Sequence, residues 1–159
     1  MSTIGQICRQ FNHGNGDWRQ FIQAIKISNI HGWTGQEIHF DFPVVAVVGE
    51  NGIGKSTFLK AAACAYKNKN GKDFYPSKMF MSTQWDRDAL SGASIEYRVR
   101  EGNESKNLRW RKSNDWGFST KGKKPERYVF FLDISRACLK TLNYCFFLLK
   151  RGAYCTRKT

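Results

Sequence analysis

The segment that most constrains this chain is a glycine-rich turn that lies between an apolar run and a helical pattern. Residues 49–57 read G-E-N-G-I-G-K-S-T and match the spacing G-x-x-x-x-G-K-[ST]. The preceding run, Val44–Val48, contains only valine and alanine, which predicts a strand buried on both faces, as in parallel sheets. The order of strand, turn and helix predicts an α/β fold. Apolar residues recur at helical spacing after the turn: Phe58, Leu59, Ala62, Ala63 and Tyr66.

The chemistry of the turn fits a nucleoside triphosphate. Glycines allow a tight turn in which consecutive backbone N–H groups point at phosphate oxygens. The helix that follows presents its positive N-terminus to the same anion. In this spacing the lysine, Lys55, reaches the β- and γ-phosphates, and the hydroxyl of Ser56 binds Mg²⁺. The motif, with Gly49 and Gly54 as its two fixed glycines, therefore predicts a P-loop.

The sequence also indicates which base the bound nucleotide carries. Guanine-nucleotide binders usually carry an Asn-Lys-x-Asp base reader. Residues 68–71 read N-K-N-G, which lacks the aspartate and lies too close to the P-loop. We therefore predict ATP, with Mg²⁺, as the ligand.

Alternation of apolar and polar residues predicts β structure in several places. Ser94–Lys112 alternates on both sides of a polar turn, which predicts an antiparallel hairpin. Trp116–Glu126, by contrast, predicts a polar, basic loop. The remaining predictions are a strand at Phe21–Ile27, a turn region at Asn29–Gly35, a strand at Ile38–Phe42 and an apolar strand at Tyr128–Ile134.

Residues 25–33 read I-K-I-S-N-I-H-G-W, and they precede the strand pattern at 38–42 and the P-loop. This order resembles the opening of ABC-type AAA family ATPase heads of the SMC, RecF, RecN and OLD kind. Those heads begin with a strand, an Asn-aromatic-Arg turn, a second strand and a GxNGxGKST loop. The resemblance covers Phe21–Tyr66 and implies a P-loop NTPase fold. It implies the N-terminal part of such a head, incomplete here, with a mixed sheet, an antiparallel hairpin and a P-loop helix.

The resemblance assigns phosphate contacts to the backbone of residues 51–55 and to Thr57. It also places an arginine that touches the nucleotide where this chain has His31. A neutral histidine keeps a hydrogen bond but no permanent charge, so His31 is either a nucleotide contact or a surface histidine in a turn. The predicted cofactor-binding set, with Ser56 as the metal ligand, is Gly49, Asn51, Gly52, Ile53, Gly54, Lys55, Ser56 and Thr57.

Heads of this kind hydrolyse ATP with a signature loop, a Walker B Asp–Glu pair and a switch histidine. Residues 90–94 read L-S-G-A-S, similar to a signature, but they lead into a predicted strand instead of a helix. Residues 130–133 read F-F-L-D, similar to Walker B, but Ile134 follows where a glutamate polarises the attacking water. No catalytic residue is therefore assigned.

We predict three parts: a polar N-terminal segment (1–19), a partial ATPase lobe (20–136) and an atypical tail (137–159). The tail contains basic residues but no acid, and it shows no helical or strand period. One interpretation is an open reading frame truncated or frameshifted near Arg136. The other is a short C-terminal helix that covers the sheet.

Charge favours a polyanionic partner, because the formal net charge is +13 and the pI is about 9.8. Basic residues are dense between Arg98 and Arg127, with Trp110, Trp116 and Phe118 among them. Such a mixture can follow a nucleic-acid backbone and stack on bases. The alternative is that the aromatic residues belong to the core and the charges form the solvated face of the hairpin.

The five cysteines form no Cys-x-x-Cys pair, which predicts neither a disulfide framework nor a zinc site. The most apolar stretch near the C-terminus, Cys138–Leu149, is interrupted by polar residues and is shorter than the ~20 apolar residues of a membrane span. The N-terminus lacks the apolar core of a signal peptide. A reducing cytoplasm without membrane association is the expected setting.

These patterns favour an SMC-like ATPase head that acts on DNA in repair or anti-phage defence. The resemblance implies an ATP-dependent homodimer and a nuclease partner. One alternative is the nucleotide-binding subunit of a membrane transporter, in which an upstream aromatic residue stacks on adenine, the position that Trp33 could occupy. The other alternative is an inactive fragment of an ATPase.

Overall fold

A five-stranded sheet in the order β2-β1-β4-β5-β6 forms the frame of the fold, and each neighbouring pair is antiparallel. The computed structural model describes residues 3–13, 20–42, 44–69, 71–81, 90–119, 123–131 and 147–148. The elements are α1 (Ile4–His13), β1 (Gln20–Ile30), β2 (Trp33–His39), α2 (Lys55–Ala63), β3 (Lys67–Asn68), α3 (Pro76–Met79), β4 (Ser94–Glu101), β5 (Glu104–Lys112), β6 (Trp116–Ser119), β7 (Glu126–Arg127), β8 (Phe130–Phe131) and β9 (Phe147–Leu148).

Alternation along the strands separates the two faces of the sheet. Ile25 of β1 lies opposite Tyr97 of β4 and Ile38 of β2, and the first two side chains are buried. On the other face, Lys26 lies opposite Glu96, and Glu96 lies opposite Arg109 at 3.4 Å between Oε1 and Nε. One face therefore forms the core, while the other carries a ladder of opposite charges in solvent.

Helix α2 packs on the apolar face through small residues. Ala61 and Ala63 are fully buried, and their short side chains let the helix approach the sheet closely. The hydroxyl of Tyr97 donates to the carbonyl of Ala61 at 2.7 Å, and Nε1 of Trp110 donates to the carbonyl of Cys64 at 3.2 Å. Strands β4 and β5 thus hold the C-terminal end of this helix.

The predicted hairpin is confirmed. Ser94 pairs with Arg111 and Glu101 with Glu104, so β4 and β5 are joined by a turn of two residues. The signature-like segment does lead into a strand: Leu90 and Ala93 are buried, and β4 follows directly. The main sheet contains no parallel pair, and the parallel pair among the described residues is the short β3–β7 ladder.

The interpretation of Val44–Val48 as a strand buried on both faces is wrong for the part of the chain that the structure describes. These residues lie in no assigned strand, and Val44 and Val48 are 74% and 82% exposed. Val47 alone in this run packs against the core. β-Branched residues favour extended backbone, but a strand forms only where a neighbour pairs with it, and here no described strand does.

Other boundaries also differ from the predictions. The turn region is only His31–Gly32, because β1 continues to Ile30 and β2 begins at Trp33. The expected loop after Lys112 contains β6, whose Phe118 packs on Trp110 with ring centroids 4.7 Å apart. The polar N-terminal segment contains α1, which is anchored by Phe11 against Phe21.

Two further predictions fall largely outside the described residues. The expected strand at Tyr128–Ile134 is described only to residue 131, where Phe130–Phe131 pairs with Phe147–Leu148. Phe147 and Leu148 are the described part of the C-terminal tail. Within the described ranges, no helix is long and apolar enough to cross a bilayer.

Candidate functional site

The glycine-rich segment lines one side of a cleft of about 730 Å³. Of the eight residues predicted to hold the cofactor, only Ile53 does not line this cleft, and its side chain is 63% exposed. This volume lies within the range of small-molecule sites, roughly 300–1,000 Å³. The lining residues from the predicted set are Gly49, Asn51, Gly52, Gly54, Lys55, Ser56 and Thr57.

The backbone of the loop takes the conformation that glycine permits. Gly52 and Gly54 have φ of 87° and 97°, values that are costly for residues with a Cβ. Gly54 is also the N-cap of α2, and no described side chain caps this end of the helix. The first N–H groups of α2 are therefore not taken up by a capping side chain, an arrangement that suits an anion.

Lys55 folds back onto the loop. Its Nζ donates to the carbonyl of Gly49 at 2.7 Å and to that of Glu50 at 2.6 Å. The ammonium group is therefore held on the inner side of the turn, next to Gly49 and Glu50. A positive charge in this place, beside the positive end of α2, makes the loop a local site for negative charge.

An aromatic stack supports the end of the loop. The rings of Trp33 and Phe40 each stack on Phe58, at centroid distances of 5.9 and 6.0 Å. Nε1 of Trp33 donates to the carbonyl of Gly54 at 3.3 Å. A Cβ added at Gly54 would lie only 2.4 Å from that nitrogen, so this position requires glycine for two reasons, its φ and the indole.

Side chains from outside the motif complete the cleft. His31 lies in the turn between β1 and β2 with φ of 44° and is exposed, and its ring is 6.3 Å from that of Phe80. Both line the cleft, as does Lys60. Because the described lining residues include His31, Lys55 and Lys60 but no carboxylate, the cleft favours an anionic ligand.

Sequence reasoning named His31 but missed Lys60 and Phe80. Lys60 follows Ser56 by four residues on α2, so helical spacing alone would have placed both on one face. Phe80 reaches the cleft from the region of α3, and no local sequence pattern predicts that long-range contact.

Asn68, the first residue of the imperfect match to a guanine reader, has a structural role. The side-chain amide of Asn68 donates to the carbonyls of Lys72 and Val129, and its oxygen accepts from the N–H of Val129. These bonds tie β3 to the segment that leads into β8. Asn68 therefore stabilises a connection in the fold, and it is not among the residues that line the cleft.

Many cations of the basic hairpin already have partners inside the protein. Lys106 bonds to Glu101 at 2.5 Å, and Arg98 lies 3.8 Å from Glu37. The guanidinium of Arg100 donates to the carbonyls of residues 12 and 13 in α1. Trp110 is 6% exposed, so it belongs to the core. The interpretation with core aromatics and a solvated charged face therefore fits this hairpin better than an open nucleic-acid groove.

Two cations of the following segment pack on aromatic rings. Nζ of Lys124 lies 5.4 Å from the ring centroids of both Tyr75 and Trp110, and burial lowers the pKa of this lysine. The guanidinium of Arg127 lies over the ring of Tyr66 and donates to the carbonyl of Gln20. Cations in such places hold the fold together.

Among the described residues, neither the signature-like segment nor Phe130–Phe131 lines the cleft. The signature-like segment forms the turn before β4, where the N–H of Ala93 donates to the carbonyl of Leu90 at 3.1 Å. Phe130–Phe131 forms the short strand β8, and the aspartate at position 133 lies outside the described residues. In the part of the chain that the structure describes, no group of three or more His, Cys, Asp or Glu could hold a metal ion.

A family model described as an AAA domain matches residues 24–133, which include β1, the glycine-rich loop, α2 and the β4–β5 hairpin. No curated protein matches the chain.

Proposed function

The chain belongs to the AAA-domain family, and from this premise we propose that it binds ATP with Mg²⁺ in the cleft formed by residues 49–57. The observation that carries the proposal is the assembly of the loop, the uncapped end of α2 and three basic side chains around one cleft. The triphosphate would lie against the loop backbone, with Lys55 and Ser56 at its β–γ end.

The residues present fit this ligand. The glycines at 52 and 54 have the positive φ that such a loop requires, and Lys55 is already on the inner side of the turn. When bound, Mg²⁺ would neutralise charge on the phosphates, with the hydroxyl of Ser56 as its protein ligand. The protein's own contribution is to bind and orient the phosphates.

Binding is proposed without turnover by this chain alone. Hydrolysis needs a group that orients or deprotonates water, and no carboxylate is among the described residues that line the cleft. In a complete head, the signature loop and the Walker B acid would supply the missing parts. Purified protein should therefore bind ATP but release phosphate no faster than the Lys55→Ala variant does.

The first prediction concerns the stabilisation that ATP gives to the folded state. A ligand at 100 times its dissociation constant raises the free energy of unfolding by about 2.7 kcal/mol. We expect Mg²⁺–ATP to raise the melting temperature of the wild type in a thermal-shift assay, and Lys55→Ala to abolish this rise. Lys55 is the only positively charged side chain in residues 49–57, so its loss removes the contact with the terminal phosphates.

The control for this experiment is Lys72→Ala, which removes an exposed lysine that does not line the cleft. This variant should keep the full ATP-dependent rise. GTP at the same concentration should give a smaller rise than ATP. If Lys55→Ala keeps the rise, or if the wild type shows none, the assignment of the site is wrong.

The finer proposal is that the chain is part of an SMC-like head that acts on DNA, in repair or anti-phage defence. It rests on the order of strand, turn and P-loop in residues 25–57 and on the net charge of +13. An ATP-dependent homodimer and a nuclease partner belong to the same proposal. Binding to duplex DNA should weaken steeply with salt, and gel filtration should show a larger species with ATP.

The transporter alternative is less favoured because Trp33 is engaged elsewhere. Its indole donates to the carbonyl of Gly54 and stacks on Phe58, so its N–H group and one ring face are already engaged within the fold. Co-purification with a membrane protein would reverse this ranking. A cytoplasmic location belongs to the same proposal as the action on DNA.

A further inference from the structure

We propose that Trp33 is a positioning residue of the nucleotide site, which acts on the ligand through Gly54. This inference rests on the proposed function, because it concerns how the same cleft keeps its shape. Gly54 is the last residue before α2, so the orientation of its peptide groups sets where the first N–H groups of the helix point. Lys55 and Ser56 follow it directly.

Three observations join the indole to the loop. Nε1 of Trp33 donates to the carbonyl of Gly54 at 3.3 Å, and this carbonyl also accepts the N–H of Phe58 at 3.0 Å in the first turn of α2. The space that a Cβ on Gly54 would need is occupied by the indole, with Nε1 at 2.4 Å and Cδ1 at 3.2 Å. The contact is thus both a hydrogen bond and a close packing surface.

The indole is itself held in place. Trp33 is the first residue of β2 and pairs with Ile30 across the turn, so its backbone is fixed by the sheet. Its ring stacks on Phe58, the fourth residue of α2, with 24° between the planes. Trp33 therefore connects the edge of the rigid sheet to the residue that starts the helix, and a fixed loop end loses less entropy when the ligand binds.

Phe40 provides a matched control. It also stacks on Phe58, at 6.0 Å and 24°, and like Trp33 it does not line the cleft. Unlike Trp33, its side chain has no group that can bond to the carbonyl of Gly54. A change at Phe40 therefore weakens the same aromatic stack while the Trp33–Gly54 contact remains. This separates the positioning of the loop from the general stability of the fold.

The test compares Trp33→Phe with Phe40→Leu by calorimetric titration with Mg²⁺–ATP at a temperature where circular dichroism shows each variant to be folded. Loss of one hydrogen bond and of the close packing should raise the dissociation constant of Trp33→Phe by roughly tenfold. The dissociation constant of Phe40→Leu should remain within about twofold of the wild type, even if its melting temperature falls as far as that of Trp33→Phe.

Equal affinity of Trp33→Phe and wild type would overturn the inference while leaving ATP binding intact. Failure of the wild type to bind would instead overturn the proposed function. If Trp33→Phe does not fold, the side-chain Nε1–H resonance of Trp33 in ¹⁵N-labelled wild type serves as the test. It is identified by Trp→Phe substitutions at the other tryptophans. This resonance should move on addition of Mg²⁺–ATP, and an unmoved resonance in protein that binds ATP overturns the inference.

Discussion

The two ends of helix α2 lie in opposite surroundings. At the C-terminal end, Tyr97 and Trp110 donate hydrogen bonds to backbone carbonyls, and burial raises the pKa of the Cys64 thiol to about 12. At the N-terminal end, Gly54 caps the helix without a side-chain bond, and Ser56 is exposed at the cleft. One end is completed by the protein's own side chains, and the other is left open toward a ligand.

This difference separates stability from function along a single helix. Unpaired polar groups at a helix end need partners, and side chains of the sheet provide them at the buried end, where water cannot. At the open end the N–H groups keep a positive potential that an anion can use. Changes at the C-terminal end should therefore alter the free energy of unfolding, whereas changes at the N-terminal end should alter the affinity for ATP.

Gly54→Ala should have the largest effect on the fold and is the strictest test of this division, because Gly54 lies at the open end and yet its replacement should be costly for stability. An alanine at φ of 97° is strained, and its Cβ would lie 2.4 Å from Nε1 of Trp33. We expect a loss of roughly 2–5 kcal/mol in the free energy of unfolding, measured by urea titration, from strain and displacement of the indole together.

Gly102→Ala is the matched control for this change. Gly102 also has positive φ, 66°, but a Cβ there would meet nothing within 4 Å. Its cost should be the backbone strain alone, about 1–2 kcal/mol. Equal losses for the two variants would mean that the indole does not constrain Gly54.

Tyr97→Phe tests the buried end of the helix. The hydroxyl of Tyr97 is 2.7 Å from the carbonyl of Ala61, which also accepts the N–H of Cys64 at 3.0 Å. Because the carbonyl keeps one bond, we expect a loss of only about 1 kcal/mol in the free energy of unfolding. The dissociation constant for ATP, measured by calorimetric titration, should not change.

Tyr75→Phe serves as the comparison, since it removes a hydroxyl that bonds to Asp73 at 3.0 Å on an exposed side chain. Its cost should stay within about 0.5 kcal/mol. If Tyr97→Phe weakens ATP binding as strongly as it weakens the fold, the two ends of α2 are coupled, and the division proposed here between stability and ligand binding fails.

Local sequence patterns predicted those features that depend on residues near one another in the chain. The loop at residues 49–57 and the helix after it follow from glycine and helix-former placement, and the β4–β5 hairpin follows from alternation on both sides of a polar turn. Burial depends on more distant partners. Val44–Val48 has the composition of a core strand and is largely exposed, because β propensity records a preference and not the presence of a neighbour.

The same limit explains the residues of the site that were missed. Phe80 and the role of Trp33 depend on contacts between segments that are far apart in sequence, 49 residues for the pair Phe80–His31 and 21 residues for the pair Trp33–Gly54. Lys124 looked like a charge available to DNA but lies between two aromatic rings. A count of charges cannot distinguish a cation that faces solvent from one that packs inside.

Ser56→Ala should have the smallest effect on the fold, and it tests ligand binding at the open end of α2 alone. Ser56 is exposed, and no described side chain or backbone bond depends on its hydroxyl, so the free energy of unfolding should change by less than about 0.5 kcal/mol. If this hydroxyl is a ligand of Mg²⁺, the wild type should bind ATP more tightly with Mg²⁺ than with EDTA, and the variant should lose most of that difference. Calorimetric titration of both proteins under both conditions gives the four dissociation constants. A variant that keeps the full effect of Mg²⁺ would remove Ser56 from the metal site while leaving Lys55 and the loop backbone as the phosphate contacts.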